Sequence, residues 1–484
     1  MNRRQFLKGA AGLAAVGLLG AAGCAQPAAP AAAPTTAPAP KATEAPKPAA
    51  TTAPAAVATA APAATQAPAA AQPVALTVWW WGEQEAPGLE KWMKQTVDMY
   101  KTVKPNVSIS TVLQSGDTLY PAFRAAAQAK KGPDIQYLWS GVWTMEDVWA
   151  GSVAPISDLL PQDVQHILPG LRDETAFDGK IWGLGWYMAP VLMAYNKDLF
   201  KKAGLDANAP PATWADLLTA SDKLNAASVT PWGYGFKGET GKGLFVGMFL
   251  PQEMDASWEL LKPTVGEESY SSPKYTGWFA RLAELIKRGG FNKDCMSLDY
   301  QQGQNLFPAG KAAMTVGVSS NIANWAKDMG EDKVGVMPAP AFGKGKLAGT
   351  IGNLAQQLTV TSFSPNKQSA ADFLAYMHTP ERLKAMYEQS SALPADDRFD
   401  LSAVKSAADK AVLQLAKDKG SIWYQDYLPA KIDREAFGAS IDRLFLGDFT
   451  PDQAVKFVDD YVKKWQNDNA STVAQLKKWR GSFK

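Results

Sequence analysis

Three consecutive tryptophans, Trp79, Trp80 and Trp81, stand in the stretch VALTVWWWGEQEAPGLEKW, which begins at Val74. Side chains on a strand alternate between its two faces, so a buried strand can pack one or two of these rings in the core. Core packing gives little reason for the third ring, at the carboxyl end of the strand. The chain contains 17 tryptophans, more than a core requires. Indoles exposed on a surface bind flat, partly apolar ligands. We therefore expect Trp79 and Trp80 to pack in the core and Trp81 to contact a ligand.

The order of the elements places Trp81 where α/β proteins bind ligands. LTVWW, VSISTVL and DIQYLW are typical of strands, and the amphipathic segments LEKWMKQTVDMYKTV and TLYPAFRAAAQAKKG between them are typical of helices. This order predicts right-handed crossovers and a parallel sheet, with ligands at the carboxyl ends of the strands. Further along, Thr213 and Thr450 are predicted helix caps. Trp214 and Trp465 fall on the apolar stripes of helices and are expected in the core.

Composition argues against several classes of function. The 49 Lys and Arg residues nearly balance the 47 Asp and Glu residues, so no nucleic acid partner is expected. His166 and His378 are the only histidines, and the His and Cys residues do not have the spacing in sequence that is typical of metal ligands. Zinc chemistry and a Ser-His-Asp triad are therefore not expected, and both histidines are interpreted as structural. We expect a monomer that needs no metal and no cofactor.

Residues 1–24 have the layout of an export signal, with a basic start, a short apolar run and small residues before Cys24. NRRQFLK resembles the twin-arginine motif, and residues 19–24 resemble a bacterial lipobox, in which Cys24 becomes a lipidated N-terminus. Ala21 departs from the Leu that lipoboxes prefer, and plain cleavage beside an incidental cysteine is the alternative. With Cys24 lipidated, Cys295 is the remaining cysteine and no internal disulfide can form.

Residues 25–73 consist almost entirely of Ala, Pro and Thr. Prolines recur too often for a helix, and there are no large apolar groups to bury, so this segment is predicted to be a disordered tether. At roughly 3.1 Å per residue it would reach on the order of 100 Å. We expect an extracytoplasmic domain, anchored to the outer face of the cell membrane through a lipid on Cys24.

Six blocks of the sequence resemble one family, the extracellular solute-binding proteins of ABC importers, in the branch of the maltose-binding and other sugar-binding proteins. In chain order the blocks are GPDIQYLWSG, GSVAPISDLL, FDGKIWGLGWYMAPVLMAYNKDLFKKAGLD, PPATWADLLTASDKL, FPAGKAAMTVG and SPNKQSAADFLAYMHTPE. They occur in the family's order over nearly all of residues 74–484. The resemblance implies a binding protein that performs no catalysis and delivers a sugar, expected to be an oligosaccharide, to the permease subunits of an ABC transporter.

The resemblance also implies a periplasmic-binding-protein-like α/β fold with two lobes. One lobe would comprise residues 74–184 and about 358–410, and the other residues 185–357 and about 411–484. Crossover strands near Gly185 and near residues 351–357 would join the lobes, and hinge closure would hold the ligand in the cleft between them.

The residues expected to contact the sugar follow strand ends or lie at the crossovers. Indole faces cover the C–H groups of a sugar ring, and carboxylates and amides meet its hydroxyls. The expected ligand contacts are Trp81, Glu83, Trp139, Trp143, Trp186, Tyr187, Trp232, Glu239, Ser320, Asn321, Asn353, Trp423 and Tyr424. The sugar-binding relatives often carry a ligand-stacking Trp after GKAAM, where this chain has Ser319, Ser320 and Asn321. Trp423 and Tyr424 are candidates to compensate, and the identity of the sugar stays open.

Two other functions are compatible with the same residues. A secreted glycosidase would share the aromatic and acidic side chains and would need two carboxyl groups about 5 to 9.5 Å apart, for which Glu83 and Glu239 are the candidates. Alternatively, the same fold could bind a polyol or another non-sugar solute. Acidic ligands are disfavoured, because a carboxylate ligand calls for an Arg clamp and no Arg follows the strand ends.

Overall fold

The computed structural model describes residues 72–419 and 424–481. The expected export signal, Cys24 and the tether up to residue 71 lie outside the described residues. The strands of the described part are β1 (Val74–Trp80), β2 (Val107–Leu113), β3 (Ile135–Trp139), β4 (Val153–Ala154), β5 (Ala176–Phe177), β6 (Lys180–Ile181), β7 (Leu184–Asn196), β8 (Thr230–Trp232), β9 (Ala312–Val318), β10 (Val334–Met337), β11 (Gly352–Thr361) and β12 (Leu393–Pro394).

The main sheet is mixed, with the strand order β2-β1-β3-β11-β7-β9-β8. Strand β1 pairs in parallel with β2 and β3, as the strand and helix order predicts, and β8 pairs in parallel with β9. Strands β7 and β11 run antiparallel to each other and to their outer neighbours β9 and β3. The expectation of parallel pairing is therefore met by β1 with β2 and β3, and by β8 with β9. It is not met at the centre of the sheet, where β7 and β11 run antiparallel to their neighbours.

Strand β7 takes part in both halves of this sheet. It is 13 residues long; its first half pairs with β11 and β12, and its second half pairs with β9 and β10. Gly185 lies in the first half, and residues 352–357 begin the partner strand β11. The positions expected for the crossovers therefore pair with each other at the centre of the sheet.

Helices cover the sheet on both sides of the central strands. They are α1 (Leu89–Val103), α2 (Gly116–Gln128), α3 (Val142–Trp149), α4 (Ile156–Leu159), α5 (Pro169–Glu174), α6 (Lys197–Lys202), α7 (Trp214–Ala226), α8 (Thr240–Phe249), α9 (Leu261–Thr264), α10 (Pro273–Lys287), α11 (Tyr300–Gln304), α12 (Ser319–Met329), α13 (Lys367–Met377), α14 (Pro380–Ser390), α15 (Ala407–Lys419), α16 (Ala439–Leu446), α17 (Pro451–Asp468) and α18 (Ala470–Arg480). Short 3-10 turns connect several of them, and a π-helix spans Ile432–Gly438. Within the described residues, no helix combines the length and the apolar character needed to cross a bilayer.

Two predicted helix starts are confirmed by their side-chain bonds. At α7, the Thr213 hydroxyl accepts a hydrogen bond from the backbone N–H of Asp216, whose carboxylate accepts one in return from the backbone of Thr213. At α17, Thr450 and Gln453 form the same reciprocal capping box. These bonds satisfy N–H groups that the first turn of a helix leaves without partners.

Most indoles of the described part fill the interior. Each buried indole removes about 150–250 Å² of surface from water, so a few rings can fill a wide space between the sheet and the helices. Trp214 and Trp465 are buried as predicted, whereas Trp79 is partly exposed. The fully buried indoles are Trp80, Trp92, Trp186, Trp232, Trp278 and Trp479. The large number of tryptophans therefore reflects core packing more than an open binding surface.

Candidate ligand-binding site

A cavity lies at the carboxyl ends of β1 and β3, beside the first residues of β11. Its volume is about 60 Å³, which is room for about four to six water molecules. The residues that line it are Trp81, Gln84, Glu85, Gly116, Asp117, Trp139, Trp143, Glu239, Thr240, Leu244, Tyr300, Gln301, Val318, Leu354, Asp426, Asp433 and Arg434. This is the edge of the sheet at which the sequence predicts a ligand.

Three indoles form one wall of the cavity, the indole wall. The ring centroids of Trp81 and Trp139 lie 5.6 Å apart, and those of Trp139 and Trp143 lie 5.4 Å apart, both edge to face. Tyr120 stacks on Trp139 at 5.5 Å and holds this ring in place. Trp81 and Trp143 are only 4% and 3% exposed, and their Nε1 atoms have no hydrogen-bond partner within the described residues. Because a buried donor without a partner is costly, a ligand oxygen that reached either N–H group would stabilise the complex.

Two glycines shape the loop that follows β1. Gly82 and Gly88 have φ angles of 137° and 110°, a conformation that favours glycine. A Cβ on Gly82 would lie 2.7 Å from the Tyr187 hydroxyl, and one on Gly88 would lie 2.2 Å from a backbone oxygen of α14. Within the loop, Glu83 accepts hydrogen bonds from two backbone N–H groups at the start of α1. Glu83 therefore stabilises this helix, and Glu85 is the loop carboxyl that reaches the cavity.

Glu85 is held from three elements. Its Oε2 accepts hydrogen bonds from the Tyr187 hydroxyl at 3.0 Å and from Gln356 Nε2 at 2.9 Å. The Ser320 hydroxyl donates to the backbone oxygen of the same residue. Burial raises the pKa of Glu85 to about 8, and the hydrogen bond from Tyr187 offsets only part of this effect. At neutral pH this carboxyl is therefore mostly protonated and can both donate and accept a hydrogen bond.

A second buried acid group lies beyond the end of β3. The Ser140 hydroxyl is 2.8 Å from Asp426 Oδ1 and 3.2 Å from Glu174 Oε2. Burial raises the pKa of Glu174 to about 7, and burial together with the charge of Glu174 raises the pKa of Asp426. Negative charge on one carboxyl opposes ionisation of the other, so each favours the protonated form of its neighbour.

The opposite wall comes from helices near the end of the chain and from α8. Asp433 and Arg434 are consecutive residues of the π-helix, and both line the cavity. The Arg434 guanidinium lies 5.2 Å from the ring centroid of Trp143, close enough for a cation–π interaction. Glu239 precedes α8, where its carboxylate lies 3.7 Å from Lys242 Nζ. Burial raises the pKa of Glu239.

The cavity includes four of the contacts expected from the sequence: Trp81, Trp139, Trp143 and Glu239. Two more expected contacts, Tyr187 and Ser320, do not line the cavity, and each donates a hydrogen bond to Glu85. Trp423 and the side chain of Tyr424 lie outside the described part of the chain. The remaining expected contacts are absent from the lining of the cavity: Glu83, Trp186, Trp232, Asn321 and Asn353.

The placement of Trp186 and Trp232 corrects the expected site. Trp186 is 1% exposed and packs edge to face with Trp80, and Trp232 is fully buried. Other aromatic side chains surround both rings, so neither ring is open to a ligand. Asn321 is also buried, within α12.

Trp232→Ala is expected to lower the free energy of unfolding by about 3–5 kcal/mol, because it leaves a large cavity in the core. The ring packs among Phe245, Phe249 and Phe291, with centroids 5.8 to 6.4 Å away. Denaturant unfolding measures the loss, with Trp79→Ala as the control, since Trp79 is partly exposed. An equal effect of the two substitutions would contradict the core placement.

Sequence reasoning missed most of the second wall. Glu85 stands in the loop that the strand-end argument selects, and Tyr300 follows Asp299, which caps α11. Asp426, Asp433 and Arg434 have no such signal, because they lie on short helical turns far from any strand end. Their approach to β1 and β3 depends on the packing of the last 60 or so residues, which no local pattern describes.

Comparison with known proteins assigns the chain to a family. A family model described as bacterial extracellular solute-binding protein matches residues 81–382, well over half of the chain. The chain belongs to this family. Its members bind solutes and do not catalyse a reaction, so this solute-binding protein is not an enzyme. The match to residues 81–382 contains the loop after β1, the indole wall and the strands β7 to β11.

Two relatives and one solved structure are similar to parts of this chain. The sn-glycerol-3-phosphate-binding periplasmic protein UgpB of Brucella abortus is 27% identical over 232 residues, which are 44% of this chain and 50% of the relative. A probable ABC transporter-binding protein of Deinococcus radiodurans is 26% identical over 63% of this chain and 71% of its own. The solved structure of a chitin oligosaccharide binding protein is 21% identical and superposes with a TM-score of 0.71, covering 81% of this chain and 98% of its own. The chain spans about half the length of the glycerol-3-phosphate-binding relative.

The N-terminal segment matches a second family model. Residues 1–20 match the signal sequence of the twin-arginine translocation pathway. This confirms the export motif expected from NRRQFLK. Together with the extracellular solute-binding family, it indicates an extracytoplasmic location for the solute-binding protein.

Proposed function

We propose that this solute-binding protein captures a carbohydrate outside the cell membrane and delivers it to the permease of an ABC transporter. The observation that carries the proposal is the indole wall, which faces buried carboxyls across one cavity. A sugar ring presents C–H groups on its faces and hydroxyls around its rim, and this lining supplies partners for both.

Hydrogen-bonding groups in the lining suit sugar hydroxyls in both directions. Trp81 Nε1 and Trp143 Nε1 can donate to ligand oxygens, and the protonated carboxyl of Glu85 can donate or accept. Each hydroxyl both donates and accepts, so a neutral polyhydroxylated ring matches a mixed lining better than a purely apolar molecule does. The ligand in the name of the chitin oligosaccharide binding protein is also a carbohydrate.

The volume of the cavity supports a compact saccharide. A volume of about 60 Å³ corresponds to four to six displaced waters, which is about the size of one sugar ring. The longer oligosaccharide expected from the number of tryptophans would require the walls to move apart. We therefore propose a compact ligand with one ring held in the cavity.

Closure of two lobes is the proposed mechanism, with the lobe boundaries expected from the sequence. Two contacts join the loop after β1 to the opposite side of the cavity: Gln301 Nε2 lies 3.4 Å from Gln84 Oε1, and Ser320 binds the backbone of Glu85. If the lobes move as proposed, these contacts form on closure and break on opening, and β7 and β11 bend. A lipid on Cys24 would hold the protein near its permease.

Glycerol-3-phosphate is the second candidate, because it is named in relatives and because Arg434 lines the cavity. A phosphate dianion usually binds several Arg, Lys or backbone N–H donors. Here Arg434 is accompanied by five carboxyls in the lining, and those that are ionised repel an anion. The carbohydrate is therefore the better match.

A thermal-shift panel of sugars tests the proposed function. We expect at least one mono- or disaccharide among glucose, xylose, maltose, xylobiose and chitobiose to raise the melting temperature. A ligand at 100 times its dissociation constant adds about 2.7 kcal/mol to the free energy of unfolding. Glycerol-3-phosphate tests the second candidate, and a non-sugar osmolyte at the same osmolality is the control for general solvent effects. A shift with glycerol-3-phosphate and with no sugar would overturn the proposal.

A further inference from the structure

Helix α18 contacts both proposed lobes, although its place in the chain assigns it to the second. It follows α17 directly and packs against α9 of the same lobe. Near its end, Arg480 forms an ion pair with Glu267 and lies 5.7 Å from the ring centroid of Trp258. These contacts fix α18 to the second lobe.

The same end of α18 also holds a hairpin of the first proposed lobe. Strands β5 and β6 form this hairpin, and its turn residues Asp178 and Gly179 have φ angles of 55° and 75°, as in a tight two-residue turn. Trp479 Nε1 donates a hydrogen bond of 3.0 Å to the backbone oxygen of Ala176. Lys478 Nζ lies 2.9 Å from Asp178 Oδ1. The contacts of Lys478 and Trp479 with the hairpin form a clasp between the lobes.

The clasp is connected to the ligand cavity through one neighbouring residue. Trp479 is fully buried, and its ring stacks on that of Tyr427 with centroids 6.0 Å apart. Tyr427 follows Asp426, which lines the cavity. The Tyr427 hydroxyl lies 3.2 Å from Ser257 Oγ in the second lobe and 3.5 Å from Glu174 Oε1 in the first. The packing of Trp479 and the approach of the cavity walls therefore involve the same short segment.

Beside the clasp, a groove separates the two lobes. Its volume is about 590 Å³, and it is bounded by α2 and α3 of the first lobe and by α17 and α18 of the second. Most of its lining residues are polar, among them Arg124, Gln128, Ser152, Asn469 and Gln475. Polar interfaces between lobes permit relative motion, because water can solvate the separated surfaces. The lobes can therefore part along this side once the clasp is released.

Resting on the proposed function and its closure of two lobes, we propose that Lys478 and Trp479 are positioning residues that set ligand affinity from outside the cavity. The clasp forms when the lobes close and breaks when they open, so it increases the closed fraction of the ligand-free protein. The apparent affinity for a ligand rises with the fraction of protein in the binding-competent form. Neither residue is among the described residues that line the cavity, so the clasp changes the affinity for every ligand by the same factor.

A reversible cross-link tests whether the clasp opens. Asp178→Cys and Lys478→Cys are combined in a Cys24→Ser background and joined by a cleavable bifunctional thiol reagent; Cys295 is buried. We expect the cross-link to slow association of the best ligand in the thermal-shift panel, glycerol-3-phosphate included, by about tenfold or more. Cleavage of the reagent should restore the rate. Stopped-flow tryptophan fluorescence measures both.

The matched control is a cross-link within one element. Lys94→Cys and Asp98→Cys replace another Lys–Asp pair, 2.7 Å apart on the exposed face of α1. This cross-link should leave association unchanged. If the α18 cross-link also leaves it unchanged, helix and hairpin do not separate, and the inference is overturned.

Weakening the clasp tests the effect on affinity. Trp479→Phe keeps a ring beside Tyr427 and loses the N–H group, and it is combined with Lys478→Ala. We expect every ligand that binds to lose affinity by one common factor of about threefold or more. Small-angle scattering should show a larger radius of gyration than the wild type without ligand and an equal one at saturation. Lys456→Ala, which removes an ion pair within α17, should change neither quantity.

The outcomes separate this inference from the proposed function. If a sugar binds and the weakened variant keeps both the affinity and the ligand-free radius of the wild type, carbohydrate capture stands and the clasp is overturned. If glycerol-3-phosphate binds and no sugar does, carbohydrate capture is overturned, and the cross-link decides the clasp with glycerol-3-phosphate as ligand. If no ligand of the panel binds, scattering decides it, since an unchanged ligand-free radius overturns the inference. A variant with a lower melting temperature alone would show a purely structural role and overturn it as well.

Discussion

Trp81→Ala is expected to weaken binding of the best ligand in the sugar panel about thirtyfold, which corresponds to about 2 kcal/mol. The ring forms the start of the indole wall, packs edge to face on Trp139, and contributes a buried N–H group without a partner in the described residues. Its removal takes away both a face for the sugar and a hydrogen-bond donor. Titration calorimetry at a temperature well below the unfolding transition measures this loss.

A conservative variant separates the two contributions of this side chain. Trp81→Phe keeps an aromatic face and loses the N–H group, so we expect a loss of affinity between those of the wild type and Trp81→Ala. The reference for a purely structural effect is Trp232→Ala, since Trp232 is fully buried and absent from the lining. It should lower stability and retain affinity. If Trp81→Ala binds within threefold of the wild type, the cavity beside β1 is not the ligand site.

Glu85→Gln is expected to make stability much less dependent on pH between about 5 and 9. The pKa of Glu85 is raised from 4.5 to about 8 in the folded protein. The folded state therefore keeps a proton that the unfolded chain releases, so the free energy of unfolding falls as pH rises through this window. The loss from this one group is on the order of 4 kcal/mol. A glutamine keeps an oxygen that accepts the hydrogen bonds of Tyr187 and Gln356 and cannot ionise.

Denaturant unfolding of both proteins at several pH values measures this effect. Glu174 and Asp409 also have raised pKa values, about 7 and about 6, and they contribute equally to both curves. The difference between the curves therefore reports on Glu85. Glu381→Gln, an exposed substitution on α14, is the matched control and should leave the dependence unchanged. Parallel curves for the wild type and Glu85→Gln would show that Glu85 is not a buried, protonated acid.

The sequence predicts the strands and helices of the first part of the chain because their periodicity is local. Strand β1, helix α1 and strand β2 occur as expected, as do the capping boxes of α7 and α17. Trp81, Trp139 and Trp143 lie at or just after strand ends. They reach one cavity because the carboxyl ends of parallel neighbours meet at one edge of a sheet.

Local patterns do not reveal which strand faces are covered. Trp186 and Trp232 stand at positions that suit a ligand contact, but both rings are buried in the core. Likewise, Glu83 and Glu85 are two residues apart in one loop, and only the loop's backbone conformation sends the first to cap α1 and the second into the cavity. A two-residue spacing in a loop has no fixed direction, unlike the same spacing in a strand.

The sequence by itself determined the family, the export signal and the side of the sheet on which the candidate site lies, because each of these is carried by short local motifs. The tertiary structure alone decided the charge of the site. It brings Asp426, Asp433 and Arg434 beside a loop some 340 residues earlier in the chain and buries Glu85 deeply enough to keep it protonated. Burial and proximity between distant segments set a pKa, and neither is written in any single stretch of sequence.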